Sequence, residues 1–342
     1  MPDTKDLSYL DLVKACDKYM LHTHQISFEQ TLTIVTSFPY YNDLPATIQA
    51  GFVPLYLPTD TRPHGYMTRA AVDEMPWTSD FSVSLTSVRL TCAPTAGACT
   101  AAFKAVVDEA IERRLFMSVL NATHSEKFSI LGARCEGRKG KVEIERFAGD
   151  LFGIAARGAH LTVYTRSSSP EETEGRKEMK IWVPRRSADS FTFPNCLDTT
   201  VAGGVPSHQS PIENIIQEAD EEASLPEELI KRDVRAAGVL TYVGHSDSGF
   251  VAPDVVYVYD LEVEEDVVPT PKDGEVKEFY LMGVEEVKTA LGRGEFKTNS
   301  AVVMVDFFIR HGVITAEEET DYVELCQRMH RRLPFPVTSD RD

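Results

Sequence analysis

GGVPSHQSPIENIIQEADEEASL, residues 203–225, is the stretch whose reading decides the fold. Its second part predicts a helix from about Pro211 to Ala223. Ser210 is a good N-cap, Pro211 suits the first helical position, and Glu213 completes a capping box. Ile212, Ile215, Ile216 and Ala219 form an apolar stripe that anchors such a helix on a core. Glu218, Glu221 and Glu222 stand at i, i+3 and i+4, so helical geometry gathers three carboxylates. Like charges at that spacing repel, at roughly a few tenths of a kcal/mol per pair. A hard divalent cation such as Mg²⁺, which prefers carboxylate oxygens, relieves the repulsion. Spacing alone favours the plainer alternative, a solvated acidic helix face.

The chain around this motif is 342 residues long, enough for two domains or one enlarged domain. A hydrophobic fraction of 42% and a charged fraction of 26% are ordinary for a soluble globular protein. Acidic residues number 53 against 35 basic ones, a formal net charge of −18. That surface repels phosphate backbones, which argues against nonspecific binding to nucleic acid or to an anionic membrane. A small phosphorylated molecule can still be held in a local basic pocket bridged by metal. Six cysteines show neither C-x-x-C pairs nor neighbouring histidines suited to zinc, and reduced thiols are the default; only Cys92 and Cys99 invite a bridge. The N-terminal residues lack a basic region followed by an apolar one. The longest strongly apolar run, 301–309, is broken by Asp306 and too short to span a bilayer. The expectation is a soluble, cytoplasmic protein. Nothing in the sequence specifies an oligomeric state.

Outside the motif, apolar spacing predicts helices over 7–19, 101–113, 284–291, 300–311 and 321–331. Strands are expected over 51–57, 65–69, 151–154, 160–166, 180–185, 255–261 and 278–282, with a polar loop over 167–179. Strands interleaved with few helices indicate α+β, with a domain boundary near 135–150. We place an accessory α+β domain in 1–145 and the motif-bearing domain in 146–342.

The loop preceding the motif helix changes the odds on the acidic face. Residues 203–225 resemble the Nudix box, G-x5-E-x7-R-E-U-x-E-E-x-G-U, with U aliphatic. Gly203, Glu218, Glu221 and Glu222 match, and Ala219 and Leu225 fill the aliphatic places. Three positions depart: Gln209 for Glu, Gln217 for Arg and Ser224 for Gly. The first two lose opposite charges together, so a side-chain hydrogen bond can replace an ion pair. Ser224 either strains a left-handed cap or ends the helix differently. Further segments, LFGIAARGAHLTVYTR, KIWVPRRS, LDTTVAGGVPS, DGEVKEFYLM and FKTNSAVVMVDFFIRHG, are similar to fungal and plant Nudix proteins related to the Nudix part of thiamin pyrophosphokinase-like chains. In that subfamily an N-terminal domain precedes the Nudix domain, and GFVPLYLPTDTRPHGYMTR resembles part of it.

The resemblance implies a Nudix α/β/α sandwich with a mixed sheet, preceded by the smaller α+β domain. It implies Mg²⁺, with Mn²⁺ able to substitute, held by Glu218, Glu221 and Glu222. It further implies hydrolysis of a small diphosphate, thiamin diphosphate or its oxidised derivatives, to the monophosphate. Glu222 or Glu218 serves as the proton acceptor, with Glu275 and Glu278 as further candidates in a later segment. Arg185 and Arg186 offer forked donors for phosphate, Gly203 and Gly204 a close backbone approach, and Trp182, Phe250, Tyr257 and Tyr259 a stacking wall. For each of these the plainer role stands beside the functional one: a solvated turn acid, a solvent-facing arginine, a packing aromatic. His208 reads as a surface loop residue. Two alternatives share the fold: a hydrolase of another nucleoside diphosphate derivative or nucleotide sugar, and a catalytically weak ligand-sensing module.

Overall fold

The computed structural model describes residues 6–17, 52–120, 126–136, 140–167, 178–190, 192–245 and 249–338. They fall into two compact units. One draws on the stretches 1–17, 157–242 and 255–331 and holds the motif; the other draws on 18–156, 243–254 and 332–342. The first helix, α1 (Tyr9–Cys16), belongs to the motif-bearing unit, and Ser8 caps it through a capping box with Asp11. Residues 18 and 19 of the expected helix lie outside the described residues, as do residues 168–177 of the expected polar loop.

The other unit carries a four-stranded mixed sheet. Its strands are β1 (Phe52–Tyr56), β2 (Pro63–Thr68), β3 (Phe81–Val83) and β4 (Val88–Leu90), in the order β2-β1-β4-β3, with β1 parallel to β4. Helix α2 (Arg69–Glu74) takes over directly from β2, because the Thr68 hydroxyl accepts the Ala71 amide and caps it. Helix α3 (Ala96–Glu112) starts ahead of the predicted 101, at a Thr95 cap. It buries Phe103, Val106 and Val107 against Leu55, Met67 and Leu90. Strands β5 (Lys127–Ser129) and β6 (Glu143–Glu145) form a separate ladder. The strand expected over 151–154 is instead a short helix, α4 (Gly149–Phe152). A four-residue apolar run cannot by itself distinguish the two. Gly153 decides it: at φ 61° it turns the chain left-handed, and a Cβ there would lie 2.0 Å from the Tyr66 carbonyl oxygen.

The motif-bearing unit is a three-layer sandwich. Its sheet contains β7 (Ala156–Ser167), β8 (Glu178–Arg186), β9 (Val201–Gly204), β10 (Arg235–His245), β11 (Val251–Glu262) and β12 (Val276–Gly283). The order is β10-β11-β7-β8-β12, and β9 pairs with β7. Alternation along each strand assigns the two faces. Leu161, Val163, Trp182 and Leu261 join the core under helix α5 (Pro211–Ala223) and helix α6 (Glu227–Asp233). Tyr164, Ile181, Val183, Val256 and Val258 join the opposite core. That core is covered by α1, α7 (Val284–Gly292), α8 (Thr298–Arg310) and α9 (Tyr322–Met329). Helix α8 is apolar nearly all round, from Ala301 to Phe308, as a helix buried on several sides must be.

Candidate active site at the start and end of helix α5

The α5 helix begins as its sequence dictates. Ser210 Oγ accepts the Glu213 amide at 3.4 Å, and Glu213 Oε2 accepts the Ser210 amide at 2.8 Å. Ile215 and Ala219 are fully buried, which fixes the helix against the sheet and turns Glu218 and Glu222 toward β9. Glu218 packs where a side chain on residue 203 would stand. A Cβ at 203 would lie 2.3 Å from Glu218 Oε1 and 2.6 Å from its Cγ. The first glycine of the motif is therefore required by the carboxylate it shelters.

Glu222 is 5% exposed, and its Oε2 accepts the Ala202 amide at 3.0 Å. Burial raises its pKa well above the ordinary carboxylate value, and the charges of Glu218, Asp198 and Glu275 push the same way. Among the described residues no cation pairs with it. Glu275 is exposed, yet its charge is felt at Glu222, so the fold brings this later acid toward the helix. Glu221 stands apart: it is exposed and accepts from Gln217 Nε2 at 3.0 Å. Among the described residues no three acid, histidine or cysteine side chains converge on one point. Two carboxylates whose charges act on each other, one deeply buried and unanswered by any cation among the described residues, nevertheless suit a hard divalent ion.

The departures from the motif are resolved locally. Gln209 Nε2 donates to Gln217 Oε1 at 2.5 Å, the expected amide bond in place of an ion pair. Ser224 adopts φ 54°, ψ 29°, so the left-handed cap forms without glycine, and its hydroxyl donates to the Thr270 carbonyl at 2.9 Å.

Other predicted residues are occupied elsewhere. Arg186 donates to Asp198 at 3.3 Å and to the Thr192 carbonyl at 3.3 Å. Arg185 donates to the Asn195 carbonyl at 2.8 Å and the Tyr280 hydroxyl at 3.4 Å, and lies 3.6 Å from Glu295. Trp182 is buried in the core beneath α5. Glu278 is half-buried and paired with Lys277 at 3.3 Å. His208 is exposed. Gly204 offers its carbonyl to Asn214 Nδ2 at 3.0 Å. Tyr257 and Tyr259 flank the α5 core, whereas Phe250 belongs to the core of the other unit.

Sequence reasoning missed two features. Asn214, fully buried, donates from Nδ2 to Gly204 and, at 3.2 Å, to Glu218 Oε1. Its place four residues before Glu218 was the available signal. The second is a buried polar hub around Asp198. Asp198 accepts from Arg186, from Ser300 Oγ and from the Thr199 amide, and Lys297 lies 3.6 Å away. Although burial works against it, Lys297, His160, Ser300 and Arg186 hold Asp198 below the ordinary carboxylate range. His160 bonds Thr199 Oγ1 at 2.8 Å, and burial, then Lys297, lowers its pKa to about 3.

Residues 172–301 match the NUDIX domain. The chain is 38% identical over 231 residues to the uncharacterized protein YJR142W of Saccharomyces cerevisiae, covering 65% of each chain. It is 36% identical to two Arabidopsis thaliana proteins, Nudix hydrolase 20, chloroplastic (over 190 residues, 55% of this chain), and Nudix hydrolase 24, chloroplastic (over 187 residues, 54% of this chain). The chain spans 48% of each of these plant relatives and 65% of the yeast one. No helix among the described residues is long and apolar enough to cross a membrane.

Proposed function

Starting from a chain that carries a NUDIX domain and resembles Nudix hydrolases, we propose that it is a divalent-cation-dependent hydrolase of a small diphosphate, acting on a phosphoric anhydride bond. The carrying observation is Glu222: buried, under the charges of Glu218 and Glu275, and without a cation among the described residues. Glu218, Glu221 and Glu222 would hold Mg²⁺, or Mn²⁺ in its place. A bound cation of this kind supplies charge neutralisation at the diphosphate and lowers the pKa of water.

The chain's own residues supply position and proton handling. Gly203 leaves room for Glu218, and Asn214 orients that carboxylate by a hydrogen bond. Glu275, exposed yet electrostatically near, is the candidate acceptor for the proton of an attacking water, with Glu222 and Glu218 as the other candidates. Arg186, tied to Asp198, and Trp182, packed in the core, support the site in this reading; Arg185, half-buried, is the more accessible of the two arginines for a phosphate. Thiamin diphosphate or its oxidised analogues, hydrolysed to the monophosphate, is the substrate class we propose, from the subfamily likeness of the flanking segments. A cytoplasmic setting belongs to the same proposal.

The test is phosphate release by the full chain with Mg²⁺ and with Mn²⁺, over thiamin diphosphate, its oxidised analogues, ADP-ribose and nucleoside diphosphates. Cation-dependent release from the thiamin compounds supports the proposal. Release confined to the nucleotides would move the substrate. Tight binding without any turnover would convert the protein into a sensor.

A further inference from the structure

Arg157 stands near the beginning of β7 and is 8% exposed. Its Nε is sealed from solvent and, among the described residues, has no partner. Among the described residues no acid pairs with the guanidinium, which lies over the Tyr257 ring, 5.7 Å from Cζ to centroid. Buried arginines ordinarily meet a carboxylate or several carbonyls, because an unanswered guanidinium is costly to desolvate. The other interior arginine of this unit, Arg186, does so through Asp198 and Thr192. Arg157 is the exception, and its location gives the exception a use.

The register of β7 and β9 locates it. Ala159 is paired with Gly203, Gly158 with Gly204, and the Arg157 carbonyl accepts the Val205 amide at 2.8 Å. Cβ atoms alternate along a strand, so Arg157 leaves the sheet on the side of Ala159 and Leu161, the face packed beneath α5. Its stacking on Tyr257, which flanks that same core, agrees. The Glu218 carboxylate occupies the space above Gly203, directly across from Ala159. Arg157 therefore rises from the same face two residues before Ala159 on β7, a backbone spacing of roughly 7 Å at strand rise.

We propose that Arg157, braced on Tyr257, is the recognition group for an ionised phosphate oxygen of the ligand, next to the carboxylates of α5. This rests on the diphosphate reading above and adds the residue that supplies the missing positive charge. The acids of α5 repel a diphosphate until a cation covers them, and the chain needs a fixed donor beyond that cation. A guanidinium that no acid among the described residues engages answers that need through its terminal N–H groups, and the aromatic platform holds its plane.

The experiment is calorimetric titration of the full chain with methylenediphosphonate in the presence of Mg²⁺, alongside steady-state kinetics on whichever diphosphate is turned over. Arg157→Met keeps the aliphatic stem and should weaken binding about tenfold or more, raising KM by a similar factor while kcat stays within about threefold. Arg157→Lys retains charge without the fork and should fall between the two. Should the Met variant not fold, the Lys variant carries the test. Unchanged binding in the variants beside a wild type that binds would overturn the role of Arg157 and leave the enzyme reading standing. A wild type that binds no diphosphonate and turns over no diphosphate would overturn both.

Discussion

Asp198 and Glu222 are buried to the same degree, 3% and 5% exposed, and each lies beside β9, close enough for the charge of one to act on the other. Their company is opposite. Asp198 has two cations, a hydroxyl and a backbone amide around it, and ionises more readily than an ordinary aspartate. Glu222 has one backbone amide and two further acids, and ionises less readily than an ordinary glutamate. Burial is thus no guide to role. The first carboxylate is completed by the chain and holds three segments together. The second meets no cation among the described residues.

The contrast can be broken at either end. The largest effect is expected from Glu222→Gln, which should lower cation-dependent turnover by about a hundredfold or more, with thermal stability in metal-free buffer equal to or above that of the wild type. Mg²⁺ should raise the melting temperature of the wild type, and the same variant should lose most of that rise. Near-normal turnover would move the chemistry elsewhere. Next is Asp198→Asn, which leaves Arg186 and Lys297 facing a neutral amide. Urea denaturation should show a loss of about 3 kcal/mol or more, the cost of stranding buried charge. A loss below 1 kcal/mol (roughly the worth of an exposed pair) would remove the hub's structural role.

A third effect is sharpened by pH. His160 is held at about 3 in the folded protein against 6.5 for the free side chain. Above pH 6.5 it is neutral in both states. As pH falls below 6.5 the unfolded chain takes up a proton that the folded one refuses, so stability is lost progressively down to about pH 3. Unfolding free energies from urea denaturation at pH 7 and 5 should differ more in the wild type than in His160→Gln, by about 1–2 kcal/mol. Equal pH dependence in the two would show that another group controls acid stability. The smallest effect belongs to Ser224→Gly. Glycine relieves the left-handed cap but loses the bond to Thr270, so stability should change by no more than about 1 kcal/mol and turnover should hold.

These two carboxylates also differ in how far they could be read beforehand. The α5 helix, Pro211–Ala223, matches its expected span because every signal is local: cap, proline, capping box and apolar stripe lie within a few turns. The Gln209–Gln217 bond was legible for the same reason, as two coupled departures within one motif. The Asp198 hub was not. Its members come from β7, the end of β8, the approach to β9 and the start of α8, and only sheet pairing and helix packing bring them together. Helix α6 and strand β10 also went unread. The outer part of β10 is largely exposed and shows no alternation, while α6 is a seven-residue charged helix. Trp182, lying between Ile181 and Val183 on a strand, must face the opposite side from them, and that side is the α5 core.

The amide bond between Gln209 and Gln217, continued from Gln217 to Glu221, has a consequence for how the protein would behave across conditions. An ion pair in that place weakens as salt rises and fails when its acid is protonated. Two carboxamides carry no charge to screen and no proton to lose. The clasp between the loop and its helix is therefore insulated from ionic strength and acidity, whatever the acids beside it do.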